Sequence, residues 1–330
     1  MIIEAVNRLK NQEVVGVPTE TVYGLAGRID SDVALKKIFT TKKRPFFDPL
    51  IVHVASIDQA KNLVNTWPSA ADTLASKFWP GPLTLVLEKN NSVSDLITAG
   101  LDSVGIRMPN HPTTLEIIKT LNIPLAAPSA NKFGKTSPTK ASHVRSEFSE
   151  DNVFVVDGGD CQIGLESTVL VLKQTGNNVQ YKVLRLGMLS EKAICDYLKE
   201  KNYNVELITN FSDALAPGNM KHHYMPKVPL ILIDENIELQ KNLELVKNKF
   251  REFDTSDTNF EFSIPKKFEN FAEIKLNDDP AIAARELYSM LRDTAGLNLD
   301  FVFFVVHKKH QTVEFSPIMD KLRKASSFTL

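Results

Sequence analysis

The feature that most constrains the fold of this chain is the stretch Pro18–Val54, PTETVYGLAGRIDSDVALKKIFTTKKRPFFDPLIVHV. Before it, Glu13–Val17 reads as a buried strand entering the Pro18–Thr21 turn. Ser31 and Asp32 are capping residues for a helix over Val33–Phe39. The basic triplet Lys42, Lys43 and Arg44 follows, and Pro45 and Pro49 then hold the chain extended ahead of a strand over Leu50–Val54. A strand, a helix and a return strand thus bring Thr21, Arg44 and His53 within reach of one pocket.

The same α/β rhythm runs through the rest of the chain. Helices are expected over residues 2–11, 57–65 and 69–78, and the rigid turn Trp79–Pro82 leads into a strand over Leu83–Leu87. A strand over Val104–Met108, a helix over Thr113–Leu121 and a buried strand over Pro124–Ala127 follow. Next comes a long polar loop, Pro128–Thr139, and a helix from about Lys140. Strands over Val153–Val156, Ser167–Val171 and Val183–Leu186 precede a helix over Ser190–Glu200. Residues 208–228, with Pro217, Gly218, Lys221, His222, His223 and Tyr224, lack periodicity and read as a linker. Beyond them, strands over 230–233, 271–275 and 301–306 alternate with helices over 238–250 and 280–294. The expected organisation is a domain over 1–207, a linker over 208–228 and a small α/β unit over 229–330.

A chain of 330 residues is long enough for two such units, each burying its own core. The formal net charge of -1 argues against a dedicated nucleic-acid binder and favours small anionic ligands held by a few placed cations. No apolar run approaches the ~20 residues that span a bilayer. The amino terminus enters an amphipathic pattern rather than a signal peptide, so the expectation is a cytoplasmic protein without membrane contact. Cys161 and Cys195, with no CxxC pair, are expected to be reduced structural thiols.

Several groups are candidates for chemistry. The Lys42–Arg44 cluster suits phosphate oxygens, although a solvated basic helix end explains it too. Arg107 lies on an apolar strand, where a charge must pair or face a cleft; it could hold a substrate carboxylate or close a structural salt bridge. His53 ends a buried strand and is either a ligand or a core histidine satisfied by backbone. Ser129, Asn131 and Ser137 follow a strand end, where hydroxyls and an amide orient a sugar or phosphate, and where turn chemistry alone also favours them. Ser167 opens a strand, touching ligand or satisfying an edge. P-loop, GxGxxG, HExxH and GxSxG motifs are absent. The pair His222–His223 lacks partners at metal-ligand spacing.

Taken together, PTETVYGL, the Lys42–Arg44 triplet with PLIVHV, WPGPLTLVL, VGIRMP, APSAN and ESTV closely resemble the YrdC-like family over about residues 1–200. With its second α/β unit the chain is similar to the longer, two-domain members. The resemblance implies an α/β fold: a twisted open-sheet catalytic domain with a positively lined cavity, plus a smaller Rossmann-like carboxy-terminal domain. It also implies an activity, the conversion of L-threonine, bicarbonate and ATP into L-threonylcarbamoyladenylate, pyrophosphate and water. The product would pass to a separate tRNA threonylcarbamoyl transferase complex for modification beside the anticodon. By match to the family's motifs, Thr21, His53, Arg107 and Ser167 hold threonine, with the Ala127 backbone nearby. Arg44, Ser103, Ser129, Asn131, Ser137 and Arg185 hold ATP, Lys42 steadies the phosphates, and Tyr224 stands in register with the family's linker. Magnesium is expected on the triphosphate.

Two departures matter. Asp48 stands where many members carry asparagine, and it would accept from a ribose hydroxyl, help hold magnesium or pair with Arg44. The linker reads PGNMKHHYMP, keeping His223 and Tyr224 but not the family's basic and aromatic order. The alternatives to a synthase are a structured-RNA-binding module with weak tRNA or RNA contact, and a carbamoyl-handling maturation factor, for whose zinc fingers the chain lacks cysteines.

Overall fold

The computed structural model describes residues 1–149, 153–209, 223–252, 265 and 267–330. They fall into two compact units, Met1–Lys132 with Pro138–Asn219, and Phe133–Ser137 with Met220–Leu330. Pro217, Gly218, Lys221 and His222 of the expected linker lie outside the described residues.

The first unit opens with α1 (Ile2–Lys10), β1 (Val15–Val17), β2 (Gly24–Arg28), α2 (Asp32–Lys42) and β3 (Ile51–His53). It continues with α3 (Ile57–Lys61), α4 (Ser69–Phe78), β4 (Leu83–Glu88), α5 (Asp95–Thr98), β5 (Ser103–Arg107), α6 (Pro112–Leu121) and β6 (Leu125–Ala126). After the polar loop come α7 (Ala141–Glu147), β7 (Phe154–Val155), β8 (Thr168–Thr175), β9 (Asn178–Arg185), α8 (Glu191–Glu200) and β10 (Asn204–Leu207). The strands form one open mixed sheet in the order β10-β9-β8-β4-β5-β3-β6-β2-β1-β7.

Both faces of this sheet are covered. In β2, Leu25 belongs to the apolar cluster built with Leu35, Ile38 and Phe39 of α2 and Leu74 of α4. Its neighbour Ala26 belongs to the cluster built with Val6 and Leu9 of α1 and Ile117 and Ile118 of α6. Successive strand residues point to opposite faces, so the two clusters are the two layers of the core. Strand β2 is not apparent from the sequence, because GLAGR carries two glycines and no β-branched residue. It forms because β1 on one side and β6 on the other satisfy its backbone. The β8–β9 hairpin also runs further than its apolar portions, out to Thr175 and Asn178 around Gly176 in the left-handed region (φ 58°).

The second unit contains β11 (Leu230–Asp234), α9 (Leu243–Glu252), β12 (Phe271–Glu273), α10 (Pro280–Asp293), β13 (Phe301–Val306), α11 (Ser316–Ala325) and β14 (Phe328–Thr329). Its sheet has the order β12-β13-β11-β14 and every pairing is parallel. Parallel sheets are covered on both faces, which explains the uninterrupted apolar runs LILI and FVFFVV. Within this unit Tyr224, left-handed at φ 65°, stacks with His223 at 4.2 Å and Tyr288 at 5.5 Å between ring centroids. The segment Phe133–Ser137 is held here by Met225 N–H donating to Gly134 O (2.9 Å), Thr136 N–H to Met225 O (3.2 Å) and Arg292 Nε to Ser137 O (3.3 Å). Among the described residues no helix is long and apolar enough to cross a membrane.

Candidate active site

The parallel pairing of β3 with β5 sets His53 directly beside Arg107. Arg107 is only 4% exposed, and its guanidinium makes one hydrogen bond and one ion pair. Its Nε donates to Gly81 O (3.1 Å), and its Nη2 lies 2.6 Å from Glu20 Oε1. Of the two readings open for Arg107, the structural salt bridge is the one seen, and its partner comes from the Pro18–Thr21 turn. Glu20, also 4% exposed, accepts with its other oxygen from Asn110 N–H (3.0 Å).

The turn itself is organised by Thr19. Its Oγ1 donates to Val22 O (2.6 Å) and accepts from the Val22 amide (3.2 Å). With that proton committed, the 2.8 Å contact between the two hydroxyls requires Thr21 to donate to Thr19. Thr21, fully buried, consequently keeps its lone pairs for another donor.

His53 is buried, and its Nδ1 lies 3.3 Å from Ile51 O, so Nδ1 carries the proton and Nε2 the lone pair. Burial first, and then the charges of Arg107 and Arg185, push its pKa down to about 3. The imidazole is neutral at every physiological pH. The Ala127 amide donates to the same Ile51 carbonyl (3.1 Å), fixing the strand end beside it.

Ser167 and Arg185 are joined. Arg185 Nη2 donates to Ser167 Oγ (3.0 Å) and its Nε to Ser167 O (3.1 Å), while Thr84 Oγ1 contacts the same Oγ at 2.8 Å. Thr84 was not readable as a site residue, being one threonine in an apolar strand. Gly187 lets the chain pass close behind. A Cβ there would lie 2.5 Å from Thr168 N and 2.6 Å from Glu166 O.

At the end of α2 the basic triplet splits by backbone geometry. Lys43 turns left-handed at φ 52° and points to solvent, whereas Lys42 (1% exposed) and Arg44 (7%) turn inward. The Lys42 ammonium donates to Ser129 O and Asn131 O, both at 2.5 Å, tying α2 to the Ser129–Asn131 loop. Burial, followed by the Arg44 charge, pushes its pKa well below that of an ordinary lysine. The same loop is fastened to β2 by Leu25 N–H on Pro128 O (2.8 Å) and Ala130 N–H on Tyr23 O (2.7 Å). Arg44 binds its own loop, Nε to Asp48 O (3.1 Å) and Nη2 to Pro49 O (2.8 Å), and pairs with the Asp48 carboxylate at 2.9 Å. Of the readings open for Asp48, pairing with Arg44 is the one seen. Burial raises its pKa, against the opposing pull of Arg44, Lys42 and Arg185.

Ser103, at the start of β5, lines a small cavity with Pro49, Leu50, Thr98, Leu101 and Gly105. The first unit thus sets His53 beside Arg107, Ser167 on Arg185, Lys42 on the Ser129–Asn131 loop and Arg44 on Asp48, with Thr21, Ala127 and Ser103 in the same unit. Ser137 and Tyr224 belong to the second unit. Cys161 and Cys195 are free and buried, and burial pushes the Cys161 thiol up to about 12.

Comparison with known proteins gives a consistent result over both units. Residues 7–187 match the Sua5_yciO_yrdC family, described as telomere recombination, and residues 185–327 match the threonylcarbamoyl-AMP synthase C-terminal domain. The chain is 40% identical over 243 residues to a threonylcarbamoyl-AMP synthase of Bacillus subtilis, covering 73% of this chain and 69% of that protein. It is 35% identical over 325 residues to one of Pyrococcus abyssi, covering 98% and 93%. A crystal structure of P. abyssi Sua5 complexed with L-threonine superposes with a TM-score of 0.80 at 32% identity, covering 100% of this chain and 96% of that one.

Proposed function

The chain belongs to the YrdC-like family in its two-domain, threonylcarbamoyl-AMP synthase form, and we infer that it makes L-threonylcarbamoyladenylate from L-threonine, bicarbonate and ATP. It is a nucleotidyltransferase. The threonine amine and bicarbonate give a carbamate and water; a carbamate oxygen then attacks the α-phosphorus and pyrophosphate leaves. The catalytic demand is positioning and charge stabilisation, and the residues supply both.

The observation that carries this reading is the grouping of buried polar side chains at the strand ends: β3 and β5 set His53 beside Arg107, and Arg185 Nη2 donates to Ser167 Oγ. On the threonine side, Arg107 takes the substrate carboxylate with the edge that Gly81 and Glu20 leave open. Neutral His53 offers its Nε2 lone pair to a substrate N–H or O–H. With a pKa of about 3 it acts as an acceptor that orients, and does not carry a proton through the cycle. On the ATP side, Lys42 fixes the Ser129–Asn131 loop with two of its three N–H groups and gives the third to phosphate. Arg44, steadied by Asp48 and its own loop, adds charge beside it.

The residues present fit a magnesium ion carried by the triphosphate's own oxygens. The Asp48 carboxylate is already paired with Arg44 and would not be a ligand. When bound, the ion supplies neutralising charge to the phosphates. The product is a mixed anhydride too labile for storage, which suits direct use by a transferase complex modifying tRNA.

The test is incubation with ATP, labelled bicarbonate and L-threonine. Pyrophosphate release that depends on threonine, with label entering a nucleotide adduct, is the expected result. Release that is absent, or indifferent to threonine, refutes the reading.

A further inference from the structure

We propose that Glu20 is a positioning residue for the threonine carboxylate, acting through Arg107; the proposal rests on the assignment of that carboxylate to Arg107 above. An arginine in a pocket can turn several edges toward a ligand, and only one gives a paired, planar contact with a carboxylate. Here the choice is made by the protein. Nε is committed to Gly81 O, and Nη2 is ion-paired with Glu20 Oε1 at 2.6 Å without the alignment of a hydrogen bond, so Nη1 is the nitrogen without a charged partner and the one left for substrate.

Glu20 is itself immobile. Its second oxygen accepts from Asn110 N–H (3.0 Å), and its backbone carbonyl accepts from Ile163 N–H (2.8 Å). Both side chains of the pair are 5% exposed or less, so water does not compete for either. The carboxylate is also adjacent in sequence to Thr21, so one turn delivers a substrate-facing hydroxyl and the group that aims the arginine. A glutamine in its place presents one acceptor and one donor. It can satisfy Arg107 or the Asn110 amide, but not both, because the second contact becomes donor against donor. The guanidinium then loses its fixed edge while the pocket keeps its positive charge.

Negative charge so close to an anion-binding arginine weakens raw attraction. Glu20 therefore acts through orientation: holding one edge of the guanidinium toward the carboxylate outweighs the negative charge it places beside that anion. A residue that merely stabilises the fold would affect both substrates alike, whereas Glu20 concerns threonine alone.

The experiment compares full-length wild type, E20Q, R107Q and the double variant E20Q/R107Q by steady-state pyrophosphate release and by calorimetric binding of L-threonine. For E20Q, the threonine KM and Kd should rise about tenfold or more while the ATP KM stays within about twofold. The double variant should be no worse than R107Q alone, since Glu20 has nothing to aim once Arg107 is gone. If E20Q does not fold, the comparison of R107Q with the charge-neutral double variant decides. An active wild type with threonine binding unchanged in E20Q, or penalties that multiply in the double variant, overturns this role alone. A wild type without threonine-dependent release overturns the underlying reading as well.

Discussion

At the scale of single residues, the pocket is decided by where protons and charges are already committed. His53 shows the consequence most directly. Its folded pKa, about 3, lies below the ~6.5 of an unfolded histidine, so the unfolded chain binds the extra proton as pH falls. Stability is therefore fully present above pH 6.5 and lost progressively toward pH 3. Between pH 7 and pH 5 this one group should cost about 2 kcal/mol. Urea midpoints at the two pH values check it: H53N should lose less stability over that interval than wild type. In activity, the same depressed value predicts no inflection from His53 between pH 5 and pH 8 in kcat/KM for threonine. The basic triplet teaches a second point. Lys42, Lys43 and Arg44 are equivalent as charges in sequence, yet a left-handed Lys43 sends one to solvent and two inward. Glu20 and Thr84 escaped the residue-by-residue reading for a related reason, since neither type is unusual in its local run and only a partner distant in sequence gives it a role.

At the scale of elements, β3 and β5 present His53 and Arg107 side by side, and the β8–β9 pair presents Ser167 to Arg185. These strands were legible from their apolar runs and bounding turns. Strand β2 was not, because its stability comes from two neighbouring strands rather than from its own side chains. Gly187 is the position where element packing and site geometry meet. A methyl group there would press on backbone atoms at 2.5 to 2.7 Å, and backbone in a paired strand cannot yield as a flexible side chain does. G187A should cost ~1–3 kcal/mol in stability and displace Ser167. Thermal melts and the threonine KM together measure this, with a rise in KM expected beyond what lost folded protein explains. In the second unit, α11 is not among the expected helices, although Ile318, Met319, Leu322 and Ala325, four of its buried positions, follow helical spacing.

At the scale of the whole molecule, the two units each possess a sheet and apolar core, and the division of the chain does not follow sequence order. Phe133–Ser137, within the long polar loop, is hydrogen-bonded to Met225 and Arg292 and counts with the second unit. Truncation after residue 207 should leave a cooperatively folding first unit, since its core clusters are intact. The same truncation removes every partner just named from the segment that carries Ser137. Pyrophosphate release by residues 1–207 should fall at least about tenfold although circular dichroism still reports a cooperative melt. Full activity of the truncated chain would show that those partners are dispensable. The sequence by itself determined the α/β alternation and the ordered motifs, because strand, helix and turn signals are local patterns, and the chemistry followed from the family resemblance that those motifs carry. Only the tertiary structure decided which carboxylate aims Arg107, which lysine enters the pocket, and to which unit Ser137 belongs. Those outcomes depend on burial and on partners far apart in the chain, such as Glu20 with Arg107 and Lys42 with Asn131, and no local pattern encodes such a meeting.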